Sequence, residues 1–131
     1  MPRHTFALAA TLVTAGLGGA CSDPGACLLN VVPAVEVEVR DASTDEFIAS
    51  IVRGILRDGA FADSLRVVAS LGTDPALATT LGGADERPGT YEVHLEGSGY
   101  EPWDTTNVRV TRDDCHVHTA TFTARLTPAL E

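Results

Sequence analysis

With 131 residues, 44% of them hydrophobic, the chain can bury one core and form one domain. Its nine cationic residues are all arginine and stand against 18 acids, a formal charge of −9 that argues against nucleic acid and against electrostatic docking on anionic lipid. Phosphate-binding loops and dinucleotide fingerprints are absent from it.

Residues 1–20, MPRHTFALAATLVTAGLGGA, begin with Arg3 and His4 and carry no charge from Thr5 to Leu17. They close on the small residues Gly18, Gly19 and Ala20. This is the three-part pattern of a secretory signal peptide. The apolar run is shorter than the ~20 residues of a permanent membrane helix. A buried N-terminal helix is the alternative, but the segment is not amphipathic. Cleavage after Ala20 leaves Cys21 as the first residue of a mature chain whose charge, without Arg3, is −10.

LGGAC at 17–21 resembles the lipobox of a bacterial lipoprotein precursor. The resemblance implies lipid on the Cys21 sulfur, an acylated amino group and the membrane of the bacterial cell envelope as a partner. The chain departs from the usual pattern at Gly18, where a branched apolar residue is common, and Leu17 stands one place early. In some bacteria with this lipoprotein type an aspartate after the cysteine keeps the protein at the inner membrane. Ser22 at that place points to the outer membrane, facing the periplasm. Without the lipid, the chain would be a soluble secreted or periplasmic domain.

The chain has three cysteines, Cys21, Cys27 and Cys115. If Cys21 carries lipid, as the resemblance implies, Cys27 and Cys115 remain as an even pair in an oxidising compartment. A bridge between them would close a loop worth about 4–5 kcal/mol in the chain-entropy treatment. Buried free thiols are the alternative, and an unmodified Cys21 reopens all three pairings. No CxxC spacing suggests metal ligation by these cysteines.

Residues 21–30 read as a short linker containing Cys27, with the turn-like SDPGA at 22–26. Six residue steps from Cys21 to Cys27 reach at most about 20 Å, too short for a long leash. VVPAVEVEVRD at 31–41 alternates, with Val35, Val37 and Val39 on one face and Glu36, Glu38 and Arg40 on the other. That predicts a half-buried strand, with Pro33 at its start or edge.

STDEFIASIVRGILRDG at 43–59 supports two readings. Ser43 and Glu46 fit a capping box, and Phe47, Ile48, Ile51, Val52, Ile55 and Leu56 fall at helical spacing. Gly54 interrupts that helix, β-branched residues favour a strand, and Asp58-Gly59 is a hairpin signal. The strand–DG–strand reading joins IVRGILR to AFADSLRVVASL.

Residues 72–89, punctuated by Pro75, Gly82, Gly83, Pro88 and Gly89, read as loop with one short strand near Leu77–Leu81. TYEVHLEG at 90–97 alternates, with Tyr91, Val93 and Leu95 inward and Glu92, His94 and Glu96 outward. SGYEPW turns the chain at 98–103, TTNVRVTR forms a strand at 105–112, and Asp113-Asp114 turns it again. CHVHTATFTARL at 115–126 is the expected last strand. The pattern predicts an all-β, antiparallel Greek-key sandwich of about seven strands over 31–127, with a tail at 128–131.

GTYEVHLEGSGYEPW at 89–103, with RDASTDEFIA, RDGAFADSL and VRVTRDDCHVHTATFTARL, resembles the carboxypeptidase regulatory-like domains. The matching positions are Gly89, Tyr91, Val93, Leu95, Gly99 and Tyr100, within a resemblance over roughly 33–126. TDEFIASIV departs from the small-residue stretch common in the family. The resemblance implies a transthyretin-like (prealbumin-like) β-sandwich without catalytic chemistry or cofactor, serving as a binding or scaffolding module. For a chain on the envelope, the corresponding partner is an envelope protein or glycan. Some transthyretin-like proteins hydrolyse a urate-pathway intermediate and end in Tyr-Arg-Gly-Ser; this chain ends ARLTPALE.

Other chemistry is weakly signalled. His116 and His118 are two apart and share a strand face, so with His94 they form the alternative of a small metal site. Their parity also matches Ala120, Phe122, Ala124 and Leu126, the expected core row, which favours ordinary strand histidines. Ser98, in GSG, lacks the G-x-S-x-G context of a nucleophile, and Ser64, in DSL, has no base near it in the sequence, though such adjacency is not required. Trp103 is a candidate binding aromatic, or a cover over one end of the core.

Overall fold

The computed structural model describes residues 27–130; the expected signal peptide, Cys21 and the linker at 22–26 lie outside them. The alternation at 35–41 forms β1 (Val35–Asp41), with Val35, Val37 and Val39 fully buried. The strands that follow are β2 (Val52–Asp58), β3 (Phe61–Ser64) and β4 (Arg66–Ser70). They are succeeded by β5 (Ala78–Gly83), β6 (Gly89–Gly97), β7 (Trp103–Val110) and β8 (Ala120–Leu126). Two four-stranded sheets result, ordered β4-β5-β1-β8 and β3-β2-β6-β7. Over the described residues the chain is an all-β sandwich. All pairs are antiparallel except β1 with β8, which run parallel from Val35 opposite Ala120 to Asp41 opposite Leu126.

The core lies between the sheets. Val35, Val37, Val39, Leu81, Ala124 and Leu126 come from one sheet and Val52, Leu56, Tyr91, Val93 and Leu95 from the other. Tyr91 is fully buried and donates its hydroxyl hydrogen to the Arg87 carbonyl at 2.6 Å, so its one polar atom is satisfied. Arg87 lies 4.0 Å over the Phe61 ring and donates to Asp58 Oδ2 at 2.7 Å, tying the β2–β3 hairpin to the start of β6.

The 43–59 segment is not a helix. Asp41, rather than Ser43, organises the turn after β1: its Oδ1 accepts from the Ser43 and Thr44 amides at 2.6 and 3.0 Å. A 3-10 turn at Ala49–Ile51 then leads into β2. Gly59, at φ +57, and Ala60 turn the hairpin. The expected partner strand AFADSLRVVASL breaks at Leu65, leaving β3 in one sheet and β4 in the other. The Leu65 amide donates to the Gly54 carbonyl at 2.9 Å, and its side chain fills the space above Gly54. Strand β5 runs two residues beyond the expected Leu81, because bare Gly82 leaves room for Val68 of β4; a Cβ there would stand 2.9 Å from Val68 Cγ1.

Strand β7 starts at Trp103, two residues early, and carries a bulge at Asn107, φ +58. The last strand begins only at Ala120. Residues 115–119 instead form a loop, because Asp113 Oδ1 takes the amides of Cys115 and His116 at 2.8 and 2.9 Å. Parity there is the reverse of expectation: Val117 is buried, His116 is half-buried and His118 is exposed. The irregular His118-Thr119 step restores Ala124 and Leu126 to the core side.

Candidate functional site

Two regions concentrate chemistry. The first is the end of the sandwich where β1 and β8 begin. Cys27 and Cys115 are joined there by a disulfide across 88 residues, with their Cα atoms 5.2 Å apart. Beside it, Glu86 Oε1 accepts from the Val32 amide at 2.9 Å and contacts His116 Nδ1 at 2.7 Å. The Glu86 amide in turn donates to the Val32 carbonyl at 2.9 Å. Burial pushes the Glu86 carboxyl up, but the bonds from His116 and the Val32 amide outweigh it and hold it below its ordinary range. Glu86 Oε2 and His116 Nε2 are buried with no hydrogen-bond partner among the described residues. Asp113, bonded by the amides of His116 and Cys115 and then by His118, is lowered to about 2. His118 Nε2 meets Asp113 Oδ2 at 3.2 Å, and its Nδ1 meets Thr111 Oγ1 at 3.2 Å.

The second region is the outer face of the β3-β2-β6-β7 sheet. Register sets Arg53 opposite Glu96, Ile55 opposite His94 and Arg57 opposite Glu92. His94 is held on both sides, Nδ1 by Asp104 at 2.6 Å and Nε2 by Glu96 at 3.0 Å. These bonds, Glu96's first and then Asp104's, raise its pKa above the ordinary histidine value. An open groove of about 370 Å³ runs between Arg53, Ile55, Ser64, Leu65 and His94. With Glu96 also in its lining, it presents a guanidinium, a carboxylate, a hydroxyl, an imidazole and apolar side chains together, a mixture suited to a polar ligand with one apolar edge. Ser64 and His94 flank Ile55 on opposite sides in one cross-strand row. No hydrogen bond joins the two: both ring nitrogens of His94 are taken by carboxylates, Nδ1 by Asp104 and Nε2 by Glu96.

The three histidines do not come together. His94 is on β6 with Glu96 and Asp104, whereas His116 and His118 are in the loop after β7 with Glu86 and Asp113. Among the described residues, no three His, Cys, Asp or Glu side chains are gathered so as to hold a metal ion. The reason is the shortened β8: the face shared by His116 and His118 exists only if they are in a strand. Trp103 is half-buried, opposite Leu95 in the sheet, and stacks on Phe122 of β8 at 6.0 Å and 20°. It spans β7 and β8, one from each sheet.

Glu86 and Asp104 carried no signal in the sequence, because each acquires its partner through sheet register or a loop 30 residues away. Asp113 was legible in part: an aspartate two residues before Cys115 fits an Asx turn. No protein-family model and no curated protein matches this chain.

Proposed function

We propose that this chain is a lipid-anchored, non-catalytic β-sandwich of the bacterial envelope, a binding or scaffolding module for an envelope protein or glycan, of the carboxypeptidase regulatory-like kind. The observation that carries the reading is the Cys27–Cys115 disulfide. It takes two of the three cysteines and leaves Cys21, directly behind Gly18-Gly19-Ala20, with no other cysteine of its own chain to pair with. An unpaired cysteine at that position has a use if it is the lipid attachment site. The outer-face groove around His94 supplies a surface for the bound partner.

The test is the intact mass of the mature protein from native membranes, with its N-terminal peptide. A thioether-linked diacylglycerol on Cys21 is the expected result. An unmodified N-terminus overturns the anchor. For the binding role, cross-linking in the intact envelope is expected to capture a partner that Arg53→Glu loses. Turnover of an ester, peptide or ureide substrate by the purified domain would overturn the non-catalytic reading.

A further inference from the structure

Between Cys27 and Val32 the chain forms a strap fixed at both ends. One end is the disulfide to Cys115, and the other is the reciprocal pair of hydrogen bonds between Val32 and Glu86. The four residues between these pins are Leu28, Leu29, Asn30 and Val31, and all are exposed. Leu28 is 76% exposed, Leu29 fully so and Val31 63%. Isolated apolar side chains on a surface need no explanation, but three within four residues of a doubly pinned strap form a patch.

We propose that this strap enters the lipid interface beside the Cys21 anchor and sets the domain upright on the bilayer; the inference rests on the lipid reading of Cys21. Three observations name the bilayer as the occupant. First, only six residue steps, at most about 20 Å, separate Cys21 from Cys27, which the disulfide fixes to the sandwich. Second, no charged residue occurs from Pro24 to Ala34, in a mature chain of net charge −10. The strap therefore offers acyl chains an uncharged surface. Third, the exposed Asp114 adjoins the strap through Cys27, whose Sγ lies 3.9 Å from the Asp114 carbonyl oxygen. That acid belongs among headgroups, and it limits insertion to the interfacial depth of about 5–10 Å seen for surface-bound apolar segments.

The rest of the molecule fits this orientation. Of the other exposed large apolar side chains among the described residues, Ile51, Leu71, Leu77 and Leu130 lie towards the opposite end of the sandwich, and Val67 lies along its side, opposite Leu81. Ile51 precedes Val52, which pairs with the last residue of β6, and Leu71 and Leu77 flank the turn where β5 begins near the end of β1. The length of β1 puts that end roughly 20 Å from the strap.

The test uses the full chain, lipidated, recovered from membranes and reconstituted in phosphatidylethanolamine–phosphatidylglycerol vesicles. Two variants in a Trp103→Phe background, Leu29→Trp and Leu77→Trp, report depth through quenching by lipids brominated along the acyl chain. The expected result is loss of most Leu29→Trp emission with Leu77→Trp emission unchanged. If neither is quenched while mass spectrometry shows lipid on Cys21, the strap proposal is overturned and the anchor stands. Equal quenching of both also overturns it, since the domain then has no fixed orientation. A Cys21 without lipid overturns the anchor reading and the strap with it. Should Trp103→Phe fail to fold, hydrogen exchange of the unsubstituted chain gives the same decision. The amides of 28–31 are expected to exchange more slowly in the vesicle-bound protein than in soluble Cys21→Ser, and equal rates overturn the proposal.

Discussion

Tyr100 donates its hydroxyl hydrogen to Asp41 Oδ2 at 2.7 Å, joining turns 59 residues apart. The bond closes the end of the sandwich opposite the disulfide, where β1 and β8 finish. The Tyr100 hydroxyl, with the Thr44 and Ser43 amides, holds Asp41 below the usual carboxylate range. The unfolded value is about 3.9, so this stabilisation is present above about pH 4 and is lost as pH falls through the lower folded value. The same bond, with burial, raises Tyr100, so its contribution is lost as pH climbs through a folded value above about 10. Tyr100→Phe is expected to lower the melting temperature at neutral pH by roughly 4–8 °C, the effect of one net hydrogen bond in a domain this size. The loss should shrink in melts below about pH 3. An equal loss at both pH values would contradict the assignment.

Leu65 occupies the space above Gly54, and a Cβ at residue 54 would also come within 2.7 Å of Leu95 Cδ2. Gly54→Val is expected to destabilise by about 1–3 kcal/mol through overpacking. Adding Leu65→Ala should return part of that loss, since it empties the contested space. Denaturant melts of the two single variants and the double variant measure the coupling; strict additivity would show that Leu65 is not the obstacle.

Replacing Cys27 and Cys115 together by serine opens a loop of 88 residues. The chain-entropy treatment puts the loss at about 4–5 kcal/mol, a large share of what a domain this size has. In exported protein both thiols should resist alkylation until reductant is added. Free reaction of either without reductant would remove the disulfide, and with it the argument for an unpaired Cys21.

His94 gains two carboxylate partners on folding, Glu96 and Asp104, and its folded pKa lies above the unfolded value of about 6.5. Protonation of His94 therefore stabilises the fold fully below about pH 6.5, and the gain disappears as pH rises through the higher folded value. An NMR titration should show His94 titrating above its model-peptide value. Glu96→Gln and Asp104→Asn should each move it down. An unmoved midpoint in both variants would mean that the carboxylates do not act on the ring.

Much of the sandwich was legible because alternation is a local property. Val35, Val37 and Val39, and Tyr91, Val93 and Leu95, declare their buried face by spacing alone, and each is fully buried. The turns at Gly59 and Gly99, φ +57 and +84, were legible for the same reason: glycine tolerates that backbone and few other residues do. The break at Leu65 was not legible, because it depends on the absence of a side chain at Gly54 on another strand. Nor was the start of β8. Asp113 draws the Cys115 and His116 amides into a turn and the disulfide holds Cys115, so the two histidines lose the shared face that spacing gave them.

Sequence by itself determined the all-β class, the inward rows and which residues turn the chain, since these follow from the chemistry of neighbouring residues. Tertiary structure alone decided which side chains meet. It placed His94 between Asp104 and Glu96, tied Glu86 to Val32 and His116, and pinned the apolar strap at both ends. Each of those contacts crosses strands or loops, and strand register and loop closure are settled only when the whole core packs.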